Sequence, residues 1–276
     1  MAVDGIRTAL LAALLGLAGM AQALEVSGPQ RQGGLLAGQV EPDARVEALG
    51  RTIPVDAAGR FLLGLGRDAP QTVKVRVTLA DGTSREHALS VAPRDYDIQR
   101  IDGLPQNQVS PDAETLARIR EDAARVREAR SRRIDRRHFD AGWIWPVTGP
   151  ISGIYGSQRI LNGEPRQPHY GIDIARATGT PVVAPSDGVV TLAADDLFFS
   201  GGTLIIDHGQ GLSSSFLHLS RILVQPGERV RQGDIVAEVG ATGRVTGAHL
   251  DWRMNWFDQR IDPSLLVPPM HEVRAE

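Results

Sequence analysis

Histidines and aspartates at even spacings in the second half of the chain are the residues best suited to chemistry. His169 and Asp173 lie four residues apart in PHYGIDIA, and His249 and Asp251 lie two apart in AHLDWRM. Both segments have the composition of strands, in which side chains at even spacings project from the same face. We therefore expect each pair to point to one side of a sheet.

His218 adds a third strand segment, SSSFLHLS, to this set. By strict alternation, its side chain shares a face with Phe216 and Ser214. We expect this strand to lie beside the other two, so that three histidines and two aspartates line one groove.

Such a group has the composition of a catalytic zinc site. Zinc in hydrolases is held by two or three histidine or carboxylate ligands together with a water molecule. It lowers the pKa of that water towards neutrality and polarises a carbonyl group. Histidines that are not ligands can take up the proton or stabilise the oxyanion. The spacing alone also fits solvated or core histidines, so it indicates a metal site without assigning the ligands.

The composition limits the chemical groups that the site can use and the partners that are expected. The chain of 276 residues has no cysteine, which excludes disulfides, thiolate zinc ligands, thiol nucleophiles and a lipid anchor on an N-terminal cysteine. Any metal must therefore be held by His, Asp or Glu. The net charge of −3 gives no general attraction to nucleic acid or to an anionic membrane, so neither is expected as a partner.

Residues 1–23 are predicted to be a secretory signal peptide. An apolar run follows Arg7 and ends in the small-x-small pattern Ala21-Gln22-Ala23, so we expect cleavage before Leu24. The alternative is a retained N-terminal anchor. No other segment approaches the ~20 apolar residues needed to cross a bilayer. The mature protein is therefore expected in the periplasm or outside the cell, without membrane contact.

Strand and turn signals divide the remaining chain into three parts and predict a mainly β protein. Residues 24–104 read as short strands with a hairpin at Asp81-Gly82, which is typical of a small β-sandwich domain. Residues 105–141 form a predicted charged, helical linker. Residues 142–276 alternate strand-like runs with glycine and proline turns, as in an antiparallel β domain.

The linker helix is predicted from its start signals. Ser110 can cap a helix, Pro111 suits the first turn, and Asp112 and Glu114 complement the positive end. The arginine run of the linker would suit a polyanion, but interleaved acidic residues favour a solvated helix. The linker is long enough to fold back, so we also expect an autoinhibitory contact from it or from the N-terminal domain.

Three separated segments resemble, in the same order, the LytM/lysostaphin-type zinc endopeptidases: PHYGIDIARATGTPVVAPSDGVV, GGTLIIDHGQGLSSSFLHLS and VQPGERVRQGDIVAEVGATGRVTGAHLDWRMNWF. The resemblance runs from about Trp143 to Pro263. It implies an antiparallel, barrel-sandwich-like metallopeptidase domain of the duplicated hybrid motif fold, with one Zn²⁺ per chain. It also implies an exported metalloendopeptidase that uses a metal-activated water to hydrolyse peptide cross-links of bacterial peptidoglycan.

The same resemblance implies a role for each of five residues. His169 and Asp173 match the zinc-binding HxxxD motif, and His218 and His249 match the two catalytic histidines. The third zinc ligand of the family is the second histidine of an HxH motif, and Asp251 stands at that position. An aspartate oxygen lies as many bonds beyond Cβ as the nearer ring nitrogen of histidine, so Asp251 can be a ligand. Two carboxylates would make the bound water less acidic and would suit other divalent metals better.

Two alternative functions compete with a zinc endopeptidase. A degenerate member of the family, without metal, would bind the cell wall or activate another hydrolase. A biotinyl or lipoyl carrier domain is excluded, because such a domain needs a lysine for its prosthetic group and Lys74 is the only lysine. Among peptidoglycan peptide stems, we expect the D-alanyl–diaminopimelate cross-link as the substrate rather than a pentaglycine bridge.

Other polar residues near these motifs receive lesser roles. His208 is expected to be structural. The segment SGIYGSQRILNGEPRQP precedes His169 and is predicted to be a loop at the edge of the groove. Within it, Arg159, Asn162 and Arg166 are candidates to touch the substrate or to cover the metal.

Overall fold

A computed structural model describes residues 24–101, 112–131 and 137–270. The predicted signal peptide and Ser110 lie outside these ranges. The described residues form mainly antiparallel β-sheets with one α-helix, which confirms the predicted fold class. Among them, no helix combines the length and the apolar character needed to cross a bilayer.

The N-terminal part contains seven strands: β1 (Glu25–Ser27), β2 (Leu35–Gln39), β3 (Arg45–Ala48), β4 (Arg51–Ile53), β5 (Arg60–Gly64), β6 (Thr72–Thr78) and β7 (Ser84–Ser90). They form two antiparallel sheets of order β1-β2-β5 and β4-β3-β6-β7. Leu36 and Phe61 of the first sheet and Val75 of the second are fully buried in a common core. This arrangement is the predicted small sandwich.

The predicted hairpin at Asp81-Gly82 joins β6 to β7. The Asp81 carboxylate accepts the N–H of Thr83 at 2.8 Å, and Gly82 has a φ of 86°. A positive φ of this kind suits glycine because it has no Cβ. The prediction of a hairpin at Asp81-Gly82 is therefore confirmed.

The helix α1 (Ala113–Ser131) begins directly after Asp112. The Asp112 carboxylate accepts the N–H of Thr115 at 2.8 Å, which is the bonding of an N-cap. The predicted cap, Ser110, lies outside the described residues. An aspartate immediately before the first helical residue has the reach to satisfy the third N–H of the helix.

β8 (Ile98–Ile101) ends the described portion of the N-terminal part. The C-terminal part contains the remaining strands: β9 (Ile151–Gly153), β10 (Gln158–Leu161), β11 (Glu164–Pro165), β12 (Gly171–Ala175), β13 (Pro181–Val183), β14 (Gly188–Leu197), β15 (Gly201–Gly209), β16 (Leu212–Leu219), β17 (Arg221–Ile222), β18 (Arg229–Val230), β19 (Ile235–Glu238), β20 (His249–Trp256) and β21 (Gln259–Ile261). A 3-10 helix, Pro263–Leu265, follows. The large sheet has the order β18-β14-β15-β16-β20-β12-β9, and β21 pairs with β20. Smaller sheets have the orders β13-β19-β17 and β11-β10-β8, and no sheet of the described residues closes into a barrel.

The large sheet has two chemically different faces. Cα partners in adjacent antiparallel strands project to the same side. Asp251 is the partner of both Asp173 on β12 and Leu217 on β16, and Arg253 is the partner of Ser215. We call the side that carries these five residues the polar face.

The opposite face forms the core. Ile174, Phe216 and Trp252 alternate with the residues of the polar face, and all three are fully buried. Their burial fixes the register, because a slip by one residue would turn the aspartates inward and the apolar side chains outward. Hydrophobic packing on one face thereby positions the polar groups on the other.

Helix α1 packs on the polar face, on the β14 and β15 side. Val126 and Ala129 contact Leu192 and Ile205, and Ile205 is the strand partner of Ser215. The helix therefore shares a face with the aspartates, one strand away from them.

The N-terminal and C-terminal parts contact each other directly. β8 pairs in parallel with β10, and Gly64 lies so close to Trp256 that a Cβ would not fit. The Arg94 guanidinium pairs with the buried carboxylate of Asp262 at 2.7 Å. The domain boundaries that we expect near residues 104 and 141 remain predictions.

Candidate metal centre

The three predicted metal ligands lie together on the polar face. Asp173 and Asp251 are direct partners on β12 and β20, and His169 precedes β12. One ligand atom from each residue lies within 4.8 Å of the other two. This spacing is close to the one that a single ion spans with bonds of about 2.0–2.2 Å. That the three bind an ion remains a prediction.

Two buried atoms of this group contact each other but have no well-aligned hydrogen bond among the described residues. His169 Nε2 and Asp173 Oδ1 lie 3.2 Å apart, at ion-pair distance, and neither makes a well-aligned hydrogen bond with any described residue. Buried polar atoms are normally satisfied, so an orphaned pair indicates a missing bound species. Burial lowers the pKa of His169, but the neighbouring Asp173 and Asp251 outweigh it and raise that pKa above its ordinary value. A shared metal ion would satisfy both atoms, so the residues present fit the expected zinc.

Asp251 has a partner that the sequence did not reveal. Arg253 Nε donates to Asp251 Oδ1 at 2.9 Å, and Arg253 Nη2 donates to Asp251 Oδ2 at 2.5 Å. Burial raises the pKa of Asp251, but the guanidinium outweighs burial and keeps that pKa below its ordinary value. Each carboxylate oxygen has two acceptor sites, so Asp251 can hold Arg253 and still bind a metal.

Arg253 also restores the expected charge of the site. A set of His, Asp and His carries one negative charge, whereas Asp173 and Asp251 together carry two. The paired guanidinium of Arg253 brings the total back to one. The two-residue spacing in DWR was visible in the sequence and placed Arg253 beside Asp251, but only the contact shows that the two form a pair.

A β-bulge in β16 brings the His218 side chain to the site. The pairing of β15 with β16 shifts between Phe216 and Leu219, so that one extra residue of β16 is inserted there. His218 lies in this bulge with a φ of 66°. Our prediction that it faces with Phe216 was wrong. The bulge turns its ring to the polar face, where the ring centroid lies 4.9 Å from that of His249.

The two predicted catalytic histidines present the same nitrogen to the site. His218 Nδ1 lies 2.9 Å from the Thr242 carbonyl, and His249 Nδ1 lies 2.9 Å from the Gly247 carbonyl. A carbonyl only accepts, so both Nδ1 atoms carry a proton, and in the neutral form of each ring Nε2 has the lone pair. His249 Nε2 lies 3.8 Å from Asp173 Oδ1. Burial lowers the pKa of His218, which favours the neutral ring.

His208 lies apart from this group. Its Nδ1 is 2.6 Å from the Asp187 carbonyl, its Nε2 is 2.7 Å from Ser214 Oγ, and Trp143 packs edge-on against the ring. Burial lowers the pKa of His208 to about 4. With both nitrogens occupied, His208 has the structural environment that we expected.

The predicted groove-edge segment forms the β10–β11 hairpin. Arg159 and Asn162 are exposed there, and Asn162 adopts a φ of 50° at the turn. The N–H of His169 donates to the Ser157 carbonyl at 2.8 Å, which ties the ligand to the base of this hairpin. A substrate contact by Arg159, Asn162 or Arg166 remains a prediction.

Comparisons with known proteins agree with this geometry. A model of Peptidase family M23 matches residues 167–263, which include all five predicted site residues. A crystal structure from Pseudomonas aeruginosa, described as a candidate M23 peptidase, is 31% identical and has a TM-score of 0.67. It aligns over 86% of this chain and 94% of its own.

Two curated proteins are similar over part of the chain. A lipoprotein NlpD/LppB homolog of Pseudomonas aeruginosa is 39% identical over 127 residues, which are 46% of this chain and 40% of the relative. The peptidoglycan DD-endopeptidase ShyA of Vibrio cholerae is 41% identical over 117 residues, which are 42% of this chain and 24% of the relative. The chain thus matches less than half of the length of either protein.

Proposed function

Because this chain belongs to peptidase family M23, we propose that it is a zinc-dependent endopeptidase that hydrolyses peptide cross-links of bacterial peptidoglycan. The observation that supports the proposal is that three candidate ligand side chains lie together on one face of a sheet, with the rings of His218 and His249 beside them. The name of ShyA supports the substrate class. We further propose the D-alanyl–diaminopimelate bond as the bond that is cleaved.

His169, Asp173 and Asp251 would hold the metal. Zinc supplies a more acidic water and a polarised carbonyl when it is bound. The protein contributes the proton transfers. His218 has a free lone pair on Nε2 and can take the proton of the hydrolytic water and return it to the leaving amine. His249 presents a second Nε2 beside Asp173, within the same group.

The zinc dependence can be tested on a defined substrate. Zinc-loaded protein is expected to split a cross-linked dimeric muropeptide into monomers, with one water added at the D-alanyl–diaminopimelate bond, as read by mass spectrometry. Chelated protein should lose the activity and regain it when zinc is added. Activity that persists after complete removal of the metal would contradict the proposal.

A second candidate function follows from the aspartate at a position where the family has histidine. A member that binds no metal would serve as a cell-wall binder or as an activator of another hydrolase. The charge balance provided by Arg253 favours the enzyme. Metal analysis separates the two, because about one zinc per purified chain is expected of the enzyme and none of the alternative.

We propose that the enzyme acts in the periplasm or outside the cell after cleavage before Leu24. The support is the predicted signal sequence, which lies outside the described residues. The inhibitory contact that we expect from the linker or the N-terminal domain also stays a prediction. Helix α1 does lie on the polar face, but Arg130 on this helix contacts Ser215 rather than a ligand.

A further inference from the structure

Arg130, near the end of α1, points a guanidinium group onto the polar face. Its Nη2 donates to Ser215 Oγ at 3.0 Å, whereas its Nε is buried and has no hydrogen-bond partner in the part of the chain that the structure describes. Burial and the nearby Arg260 and Arg253 hold the pKa of Arg130 well below its ordinary range. Among the described residues, no carboxylate pairs with Arg130.

Arg260, on β21, carries a second guanidinium group near that of Arg130. Its Nη1 donates to the amide oxygen of Asn255 at 3.0 Å, and its guanidinium carbon lies 5.5 Å from the centre of the Tyr170 ring. Burial and Arg253 lower the pKa of Arg260 to about 10. Both of its contacts are to neutral groups, so Arg260 is also without a carboxylate partner among the described residues.

These arginines leave a local excess of positive charge. Arg253 is paired with Asp251, but Arg130 and Arg260 are not balanced. Two like charges that are partly withdrawn from water are costly unless an anion joins them. All three arginines keep some exposure to solvent, so an anion could reach them.

The excess charge lies next to the candidate metal centre. Arg130 binds Ser215, whose strand partner is Arg253, and Asp251 lies two residues from Arg253 on the same face. Two residues of strand correspond to about 7 Å. Arg260 is the strand partner of Asn255, two residues beyond Arg253, so an anion held between Arg130 and Arg260 would lie on the polar face about two to three residues of strand, or about 7–10 Å, from Asp251.

We propose that Arg130 and Arg260 bind a free carboxylate of the substrate beside the bond that is cleaved. The inference rests on the proposed function. Diaminopimelate carries a carboxylate on the same carbon as the cross-linked amine, so a carboxylate flanks the scissile nitrogen. Guanidinium groups suit carboxylates because their fixed N–H donors match the two oxygens. The linker helix would then form one wall of the substrate site.

The helix itself provides one test. Ala129 is buried against Leu192 and Ile205, so Ala129→Glu should detach the end of α1 from the sheet. We expect a higher KM, because Arg130 would leave its position, and little change in zinc content. Ala124→Glu, on the exposed side of α1, is the matched control. Faster cleavage by Ala129→Glu would instead support the inhibitory contact and would contradict a substrate wall.

The carboxylate itself can be tested with paired substrates. Wild type should cleave a cross-linked muropeptide with free diaminopimelate carboxylates with a kcat/KM about tenfold or more above that for the amidated form. Arg130→Gln and Arg260→Gln should raise KM for the free form and abolish this preference. Arg127→Gln, on the exposed face of α1, should leave the preference unchanged. Equal cleavage of both substrates by wild type, or a preference that survives in both variants, would overturn the inference.

Two further measurements separate binding from structure and from the proposed function. If the arginines were only structural, both variants would melt at lower temperature, whereas removal of an unbalanced buried cation should leave the melting temperature equal or higher. If wild type cleaves neither substrate, the proposed function fails. The inference is then decided by calorimetric titration of chelated protein with the uncross-linked stem tripeptide. The free form should bind more tightly than the amidated form, and Arg130→Gln should remove the difference; equal binding would overturn it.

Discussion

Replacing Asp251 by Ala is expected to lower zinc affinity by more than about a hundredfold. Loss of a residue that only supports a ligand costs about 10–100-fold in metal affinity, and loss of a ligand should exceed that. The substitution also leaves Arg253 without its counter-charge beside the metal. Competition titration with a zinc chelator measures the effect, and Asp195→Ala, at an exposed position on β14, is the control.

The pairing of Asp251 with Arg253 sharpens this test. Asp251→His restores the histidine of the family pattern but leaves the charge of Arg253 unbalanced, so we expect weaker zinc binding than in wild type. The double variant Asp251→His with Arg253→Gln returns the total charge to one negative unit and should recover the affinity. If Asp251→Ala binds zinc as tightly as wild type, Asp251 is not a ligand and the metal-free alternative is favoured.

Replacing His218 or His249 by Ala is expected to reduce turnover by about a hundredfold or more while zinc remains bound. Both rings present an Nε2 lone pair to the site and can carry the proton between water and the leaving amine. Steady-state hydrolysis of cross-linked muropeptide, with zinc content measured in parallel, checks the prediction. His87→Ala, on β7 of the N-terminal sandwich, is the control.

The conformation of His218 calls for a second variant. Its φ of 66° is unfavourable for alanine but is well tolerated by asparagine. His218→Asn should therefore keep the bulge and still lose activity. Because burial lowers the pKa of His218, wild type should keep its active, neutral ring to a pH below the ordinary histidine value of about 6.5. Loss of zinc in either alanine variant would make that histidine a ligand instead.

Local patterns predicted much of the fold. The Asp81-Gly82 turn and the alternating residues of β6 and β7 identified a hairpin, because turn and strand preferences act over a few residues. The helical linker was also predicted, and Asp112, expected in its first turn, provides the N-cap. The parallel pairing of β8 with β10 could not be predicted, since it joins segments about 60 residues apart and depends on packing between them.

For the site, the sequence by itself determined which residues lie on a common face of each strand. The two-residue period placed His249 with Asp251, and the HxxxD spacing placed His169 with Asp173. Burial of the opposite, apolar face is enough to orient these groups. The alternating apolar residues that cause this burial are visible in the sequence.

Only the tertiary structure decided which of these groups meet and what surrounds them. Pairing of β12 with β20 set Asp173 opposite Asp251. The bulge in β16 reversed the direction that alternation predicts for His218, because an inserted residue with left-handed backbone breaks the two-residue period. The unbalanced charge of Arg130 arose from docking of α1 on the sheet, a contact between segments 85 residues apart that no local pattern encodes.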